Sequence, residues 1–336
     1  MDIGVDLGTA NMVVSANHKG IILSEPSVVA YHRYKKEVIA VGTEAYNMIG
    51  RTPDYITIVR PLADGVISDD GMAEVMIKAL ILRVLGNQPI RPRTVLCIPS
   101  FITDIESRAV IEAAIGAGAR KVYLIQEPIA AMLGANIDIS LPKGHMVVDI
   151  GGGTTDIAVV SLNGIVVSHS ITTAGNKLDM SILKYISNRY KMLIGERTAE
   201  KIKKQMANAY NPGVTKRMKV GGKNLYTSMP QSIEISELDV HLAIEEHLAE
   251  IIEAIRYVFE QTPPELVRDI YDSGIILTGG GALLGNLDRL ISSETGLKCK
   301  IAGNAVTCVA NGTAIVYDKM EELLDGFEYI PVHKYQ

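Results

Sequence analysis

Two aspartates, Asp6 and Asp149, each close an apolar run and lead into a glycine-rich turn. The first segment reads Ile3-Gly4-Val5-Asp6-Leu7-Gly8-Thr9-Ala10-Asn11-Met12-Val13-Val14 and the second Met146-Val147-Val148-Asp149-Ile150-Gly151-Gly152-Gly153-Thr154-Thr155-Asp156-Ile157-Ala158-Val159-Val160. Apolar β-branched runs on both sides predict strands, and glycine frees each turn for positive φ, so that backbone N–H groups can converge on an anion. A pair of such hairpins can clamp one polyphosphate from both sides. The aspartates at the strand ends would then face the phosphates, where a bare carboxylate repels them unless a hydrated Mg²⁺ lies between.

Three further groups could join this chemistry, and each has a plainer reading. Glu127-Pro128 follows the apolar strand ending at Ile125 and opens a helix, which suits a general base in a cleft or simply a helix-start charge. Thr278-Gly279-Gly280-Gly281-Ala282-Leu283 joins a strand to a helix; the glycines suit a close ligand approach or merely a tight turn. Thr198 is placed to cap a helix over 199–206, putting Glu200, Lys203 and Lys204 on neighbouring turns, either in the site or as a solvated face. Neither the Rossmann nor the Walker A glycine spacing is present, nor a GxSxG elbow, and His241 and His247 lack metal-ligand spacing. A nicotinamide dehydrogenase and a P-loop enzyme are therefore disfavoured.

Positioning these groups requires an alternating framework. After each hairpin a turn (Asn17 to Gly20, Ser161 to Gly164) leads into a third strand, Ile21-Ile22-Leu23 and Ile165-Val166-Val167, which predicts a duplicated α/β unit with one phosphate hairpin per lobe. Segments 93–99, 121–125 and 273–278 read as buried strands. Helical spacing of Met72, Val75, Met76, Ala79 and Leu80 marks one helix. Ser236 with Asp239 caps another, whose stripe carries Leu238, Leu242, Leu248, Ile252, Ile255 and Phe259.

With 336 residues and 47% apolar content the chain can bury cores for two domains. Its formal charge of −5 gives no general attraction to nucleic acid. Cys97, Cys299 and Cys308 show no CxxC spacing and read as reduced, which points to the cytoplasm; neither a signal peptide nor a transmembrane run is expected.

Taken in this order, the two aspartate-led hairpins, the Glu-Pro junction and the Thr-Gly-Gly-Gly turn resemble the actin, Hsp70 and sugar kinase superfamily. From end to end the chain is similar to the bacterial actin MreB family with its Mbl and MreBH members. The stretches Asp6 to Asn11, Glu25-Pro26-Ser27-Val28-Val29, Gly50-Arg51-Thr52-Pro53, Arg60-Pro61-Leu62, Asp64-Gly65-Val66-Ile67, Ile194 to Glu200 and Thr262-Pro263-Pro264-Glu265-Leu266 carry the likeness. It implies an α/β, actin-like ATPase fold with two duplicated lobes around a nucleotide cleft. Lobe I would span 1–138 plus 310–336, with a small subdomain at about 29–61; lobe II would span 139–309, with one at about 177–236.

The resemblance also assigns roles. Thr9, Ala10 and Asn11 would bind the phosphates of ATP from one lobe, and Gly151, Gly152, Gly153, Thr154 and Thr155 from the other. Asp6 and Asp149 would hold Mg²⁺ through water, Glu127 would activate the attacking water with help from Thr154, and Glu200, Lys203, Gly279, Gly280, Gly281, Ala282 and Leu283 would flank the adenosine. The implied function is ATP-dependent polymerisation, with slow hydrolysis, into paired filaments of the chain itself on the inner face of the cell membrane. Those filaments would organise cell-wall elongation and rod shape, with wall-elongation proteins and a membrane adaptor as partners and no nucleic acid.

Three positions depart from the family pattern: Gln126 replaces a common acidic residue, Asp156 stands where Glu is usual, and loop 86–93 offers only Ile90 beside Arg91 and Arg93 for a membrane. Two other classes stay in view. A metabolite kinase would need a second polar pocket signature, which is not evident, and a chaperone nucleotide domain would need a peptide-binding domain after Gln336, for which no room is expected.

Overall fold

The computed structural model describes residues 2–86, 91–100, 102–212, 215–319, 323 and 327–330. Two sheets carry the architecture, and they repeat one topology. In the first, strands Gly20–Pro26, Asn11–Ala16, Asp2–Leu7, Arg93–Ile98 and Lys121–Gln126 lie in that order, with Phe327–Ile330 added at the edge. In the second the order is Gly164–Ile171, Thr155–Ser161, His145–Ile150, Ile275–Thr278 and Cys299–Ile301. Each begins with three antiparallel strands and continues with two parallel ones. Each also shifts register between its second and third strands, at Val14/Ser15 and at Val159/Val160. The duplication expected from the two hairpins is thus present down to an irregularity of pairing.

The central strands are apolar on both faces because helices cover both. Helices Asp70–Leu85 and Asp104–Gly116 cover one face of the first sheet, closing a core around Met76, Ile77, Leu80, Leu96 and Ile111. The long helix Glu237–Gln261 covers the second sheet with Ile244, Leu248, Ile251, Ile252 and Ile255. Its expected cap is formed: the Ser236 hydroxyl accepts from Asp239 N at 3.2 Å and Asp239 accepts from Ser236 N at 2.8 Å. Its stripe differs from the expected one, since Leu242 is 49% exposed and Val240 and Ile244 turn inward instead. Two small three-stranded sheets stand apart, one from Val29–His32, Glu37–Val41 and Ile56–Val59, the other from Met192–Leu193, Arg217–Asn224 and Pro230–Ser236.

Between the large sheets lie two helices, Glu127–Gly134 and Cys308–Lys319. They cross with almost no space between backbones. A Cβ on Gly134 would sit 1.8 Å from the Cys308 carbonyl oxygen, and one on Gly312 1.8 Å from that of Ala130. The Cys308 thiol adds a bond to the Ala131 carbonyl at 3.2 Å. Glu127 starts the first of these helices, so the crossing fixes where its carboxyl stands relative to both sheets.

Gly312→Ala therefore forces backbones apart at a point with no flexible side chain to yield. We expect it to lower the unfolding free energy by about 1–3 kcal/mol, measured by urea denaturation, whereas alanine at the open, exposed Gly195 should cost less than about 1 kcal/mol.

Candidate nucleotide site

Both predicted hairpins form, and their turns meet. Asp2–Leu7 pairs antiparallel with Asn11–Ala16, and His145–Ile150 with Thr155–Ser161. The first turn is pinned from outside: the Ser27 hydroxyl donates to the Gly8 carbonyl at 2.6 Å and Ser27 N to the Ala10 carbonyl at 3.0 Å. The second is held by the start of helix Gly175–Tyr190, whose Gly175 and Asn176 amides donate to the carbonyls of Gly151 and Gly152 at 3.2 and 2.7 Å. Thr155 donates to the Thr173 carbonyl at 2.7 Å. A Cβ on Gly152 would come within 2.6 Å of the Ala10 side chain, and one on Gly153 within 2.6 Å of the Thr9 hydroxyl. Only glycine lets the two turns approach this closely.

A third turn joins them, one whose residues show no role by type or spacing. Leu62–Ala63 and Val66–Ile67 form a two-residue hairpin through Asp64 and Gly65, at φ 51° and 82°. The Asp-Gly pair is the usual signal for such a turn. Its Gly65 amide lies 3.4 Å from the Thr9 hydroxyl, and a Cβ there would meet the Thr154 methyl at 2.6 Å.

Four carboxyl groups converge beside these turns. Asp6 and Asp149 end the paired strands, Asp156 stands opposite Asp149 across the hairpin, and Glu127 enters from the crossing helix. Loss of water pushes the Asp6 carboxyl up to about 7, helped by the Asp149 charge. Asp149 is likewise pushed up to about 7 by burial, with the Thr278 hydroxyl, donating at 2.8 Å, working against the shift. Burial raises Glu127 well above the usual range, with Asp156, Asp149 and Asp6 each adding to the effect. Such a cluster favours a cation. Among the described residues no three His, Cys, Asp or Glu side chains come close enough to ligate a metal directly. The donor set therefore fits an ion that keeps its waters, as Mg²⁺ does.

The residues assigned to adenosine are engaged with other parts of the protein. The Lys203 ammonium donates to the Gly175 carbonyl and to Asp179, both at 2.8 Å. That ties it to the helix start behind the second turn, a partnership the sequence did not disclose. Glu200 accepts from Lys204 at 2.6 Å and from the Tyr46 hydroxyl. Around it, the Arg197 guanidinium covers the Tyr46 ring at 4.9 Å, and Arg60 pairs with Glu196 at 3.3 Å. These contacts link helix Thr43–Met48 and Arg60, which flank the first small sheet, to helix Glu196–Met206. That helix starts at Glu196 after Gly195, so Thr198 lies inside it and is not its cap. In the Gly279 to Leu283 turn, Gly279 and Gly281 pack against Ile150, Ala282 is buried, and Gly280 and Leu283 are exposed. The tight-turn reading of those glycines thus has a physical basis.

Comparison with known proteins settles the family. The MreB/Mbl protein family matches residues 1–325. This chain belongs to it. The Mbl cell shape-determining protein of Bacillus subtilis strain 168 is 47% identical over 96% of this chain and 97% of its own. The MreB cell shape-determining protein of Escherichia coli K12 is 45% identical over 93% and 91%. Among solved structures, MreB5 of Spiroplasma citri bound to ADP superposes with a TM-score of 0.91 at 37% identity, covering 95% of this chain and 97% of that one; the AMPPNP-bound form gives 0.89. The fold is actin-like, and the chain is an MreB-like bacterial actin.

The raised carboxyls make stability depend on pH in a defined sense. Between pH 3.8 and about 7 the folded chain holds protons at Asp6 and Asp149 that the unfolded chain releases. Their contribution is fully present below that window and is lost as pH rises through about 7. We expect the melting temperature of the nucleotide-free protein to fall between about pH 5 and about pH 8, and less steeply in Asp149→Asn. Mg²⁺ with AMPPNP should stabilise the wild type most at the upper end. Equal slopes in scanning calorimetry of the two proteins would contradict the cluster.

Proposed function

We propose that this chain binds Mg²⁺·ATP between its two hairpin turns, polymerises in that state and slowly hydrolyses the nucleotide. The observation that carries the reading is the meeting of two duplicated turns, Gly8 to Asn11 and Gly151 to Thr155, with Glu127 beside them. The nucleotide-bound MreB5 structures support it. Thr9, Ala10 and Asn11 on one side and Gly151 to Thr155 on the other bind the phosphates. Glu200, Lys203 and the Gly279 to Leu283 turn flank the adenosine once Glu200 exchanges its Tyr46 contact for the ligand. We place the lobes at 1–138 with 310–336 and at 139–309, their small subdomains at about 29–61 and 177–236.

In hydrolysis a water oxygen bonds to the γ-phosphorus as the bond to the bridging oxygen of ADP breaks. Glu127 accepts the water's proton as a carboxylate, and the Thr154 hydroxyl orients that water. Bound Mg²⁺, held through water by Asp6 and Asp149, supplies the positive charge that offsets the phosphates. Because one ligand touches both turns, its triphosphate form favours the closed, filament-competent arrangement.

The relatives are named cell shape-determining proteins, which supports a role in cell shape; within this reading the chain's own filament lies on the inner membrane face and organises wall elongation through wall enzymes and an adaptor. Among the described residues no helix is long and apolar enough to cross a membrane. Loop residues 87–90, including Ile90, lie outside the described residues. The Arg93 guanidinium pairs with Asp2 while its side chain remains 35% exposed, so part of its charge is offset within the protein. Attachment then depends on avidity along the polymer.

Electron microscopy of the purified protein on anionic lipid tests the reading. We expect paired filaments with ATP or AMPPNP and few with ADP; discrete particles under all three conditions would contradict it. Glu127→Ala should bind ATP nearly normally, release phosphate about 10²–10⁴-fold more slowly, and keep filaments longer in sedimentation time courses. Unaltered phosphate release would reduce Glu127 to a helix-start charge.

A further inference from the structure

Among the described residues five buried side-chain atoms lack any hydrogen-bond partner, and three of them belong to Asp156 and Ser100: both carboxylate oxygens of Asp156 and the Ser100 hydroxyl. They come from different sheets. Asp156 lies on strand Thr155–Ser161 of the second, 1% exposed, while Ser100 follows strand Arg93–Ile98 of the first. The Ser100 amide and the side chains of Ser170, Thr154 and Glu127 all stand next to the Asp156 carboxyl. A buried carboxylate is not left bare in a folded protein; the Ser100 amide, Ser170, Thr154 and Glu127 are its hydrogen-bonding neighbours, and where such bonds are long or incomplete ordered water completes them.

We propose that Asp156 is a positioning residue for ATP hydrolysis: with Ser100 it holds ordered water across the junction of the two sheets and thereby fixes the Glu127 carboxyl and the Thr154 hydroxyl. The proposal rests on the hydrolysis reading above. Asp156 does not touch the phosphates. It adjoins both groups assigned to the attacking water: Thr154 stands two residues before it on its own hairpin, whereas Glu127 follows a strand of the first sheet. Water activation is therefore assembled only when the two sheets stand in this relation, which gives the hydrolytic step a sensitivity to lobe closure that Glu127 alone would not have. A carboxyl group is needed here, so that glutamate at this position serves the same end.

The test compares wild type, Asp156→Asn and Asp156→Glu for phosphate release, AMPPNP affinity and melting temperature. Asp156→Asn should lower kcat by about tenfold or more, leave KM for ATP and AMPPNP affinity within about threefold, and leave the melting temperature little changed, since asparagine keeps the shape and the hydrogen-bonding capacity of the side chain. Asp156→Glu should restore most of kcat. A structural role moves these quantities differently: parallel loss of affinity, turnover and melting temperature in Asp156→Asn would overturn the proposal, as would unchanged kcat. If wild type binds AMPPNP but releases no phosphate from ATP, the hydrolysis reading falls first and the role of Asp156 with it; wild-type turnover matched by Asp156→Asn overturns only the latter.

Discussion

Four carboxyl groups, Asp6, Asp149, Asp156 and Glu127, are drawn from two sheets and a helix into one place that water reaches poorly. Nothing in folding alone favours this. Like charges withdrawn from water cost free energy unless protons or a cation offset them, so the arrangement stores a need that a hydrated metal and its phosphates would meet. The glycines of the two turns, the Ser27 bonds behind the first and the helix start behind the second all hold the carboxyls where that need persists. The site is thereby a coupling device: whatever relieves it also determines how the two sheets stand to each other.

The scaffold that permits this is a duplication closed by a crossing. Each sheet contributes a hairpin, a third antiparallel strand and two parallel strands. The copies are joined by two helices whose backbones touch at Gly134 and Gly312, within an apolar core that Val95, Ile125, Val147 and Ala158 of the two sheets share. A contact so close is rigid in translation while leaving the outer small sheets to be linked by side chains alone. Tyr46 with Glu200, Arg197 over Tyr46 and Arg60 with Glu196 make that outer link. The polar bridge at the rim and the backbone contact at the centre differ in strength, which suits lobes that pivot about the crossing.

Much of the frame was legible in sequence because it is locally encoded. Apolar β-branched runs bounded by glycine and asparagine marked the strands, the Ser236/Asp239 pair marked a helix start, and repetition of hairpin plus third strand marked the duplication. The phosphate turns could be read from residue type, and the remaining roles came from family likeness. What escaped notice depends on pairing across long separations. The contact of Gly65 with Thr9 and Thr154, the capture of Lys203 by Asp179, the Asp2 partner of Arg93 and the unpartnered oxygens of Asp156 have no local signature. One local reading failed: helix Glu196–Met206 begins three residues before Ala199 without any side-chain cap. Another held in part: on the long helix Leu248, Ile252 and Ile255 are buried as expected, Val240 and Ile244 join them, and Leu242 is exposed.

The central claim is that one nucleotide is held by both turns while its metal is held through water by Asp6 and Asp149. A crystal structure of the protein with Mg²⁺ and AMPPNP tests this most directly. The account predicts β- and γ-phosphates in contact with backbone amides of Thr9 to Asn11 and of Gly151 to Thr155, and a metal whose coordinated waters, rather than the ion itself, contact the two aspartates. Phosphates seated against one turn only, or a metal bound directly by three of the carboxylates, would contradict it.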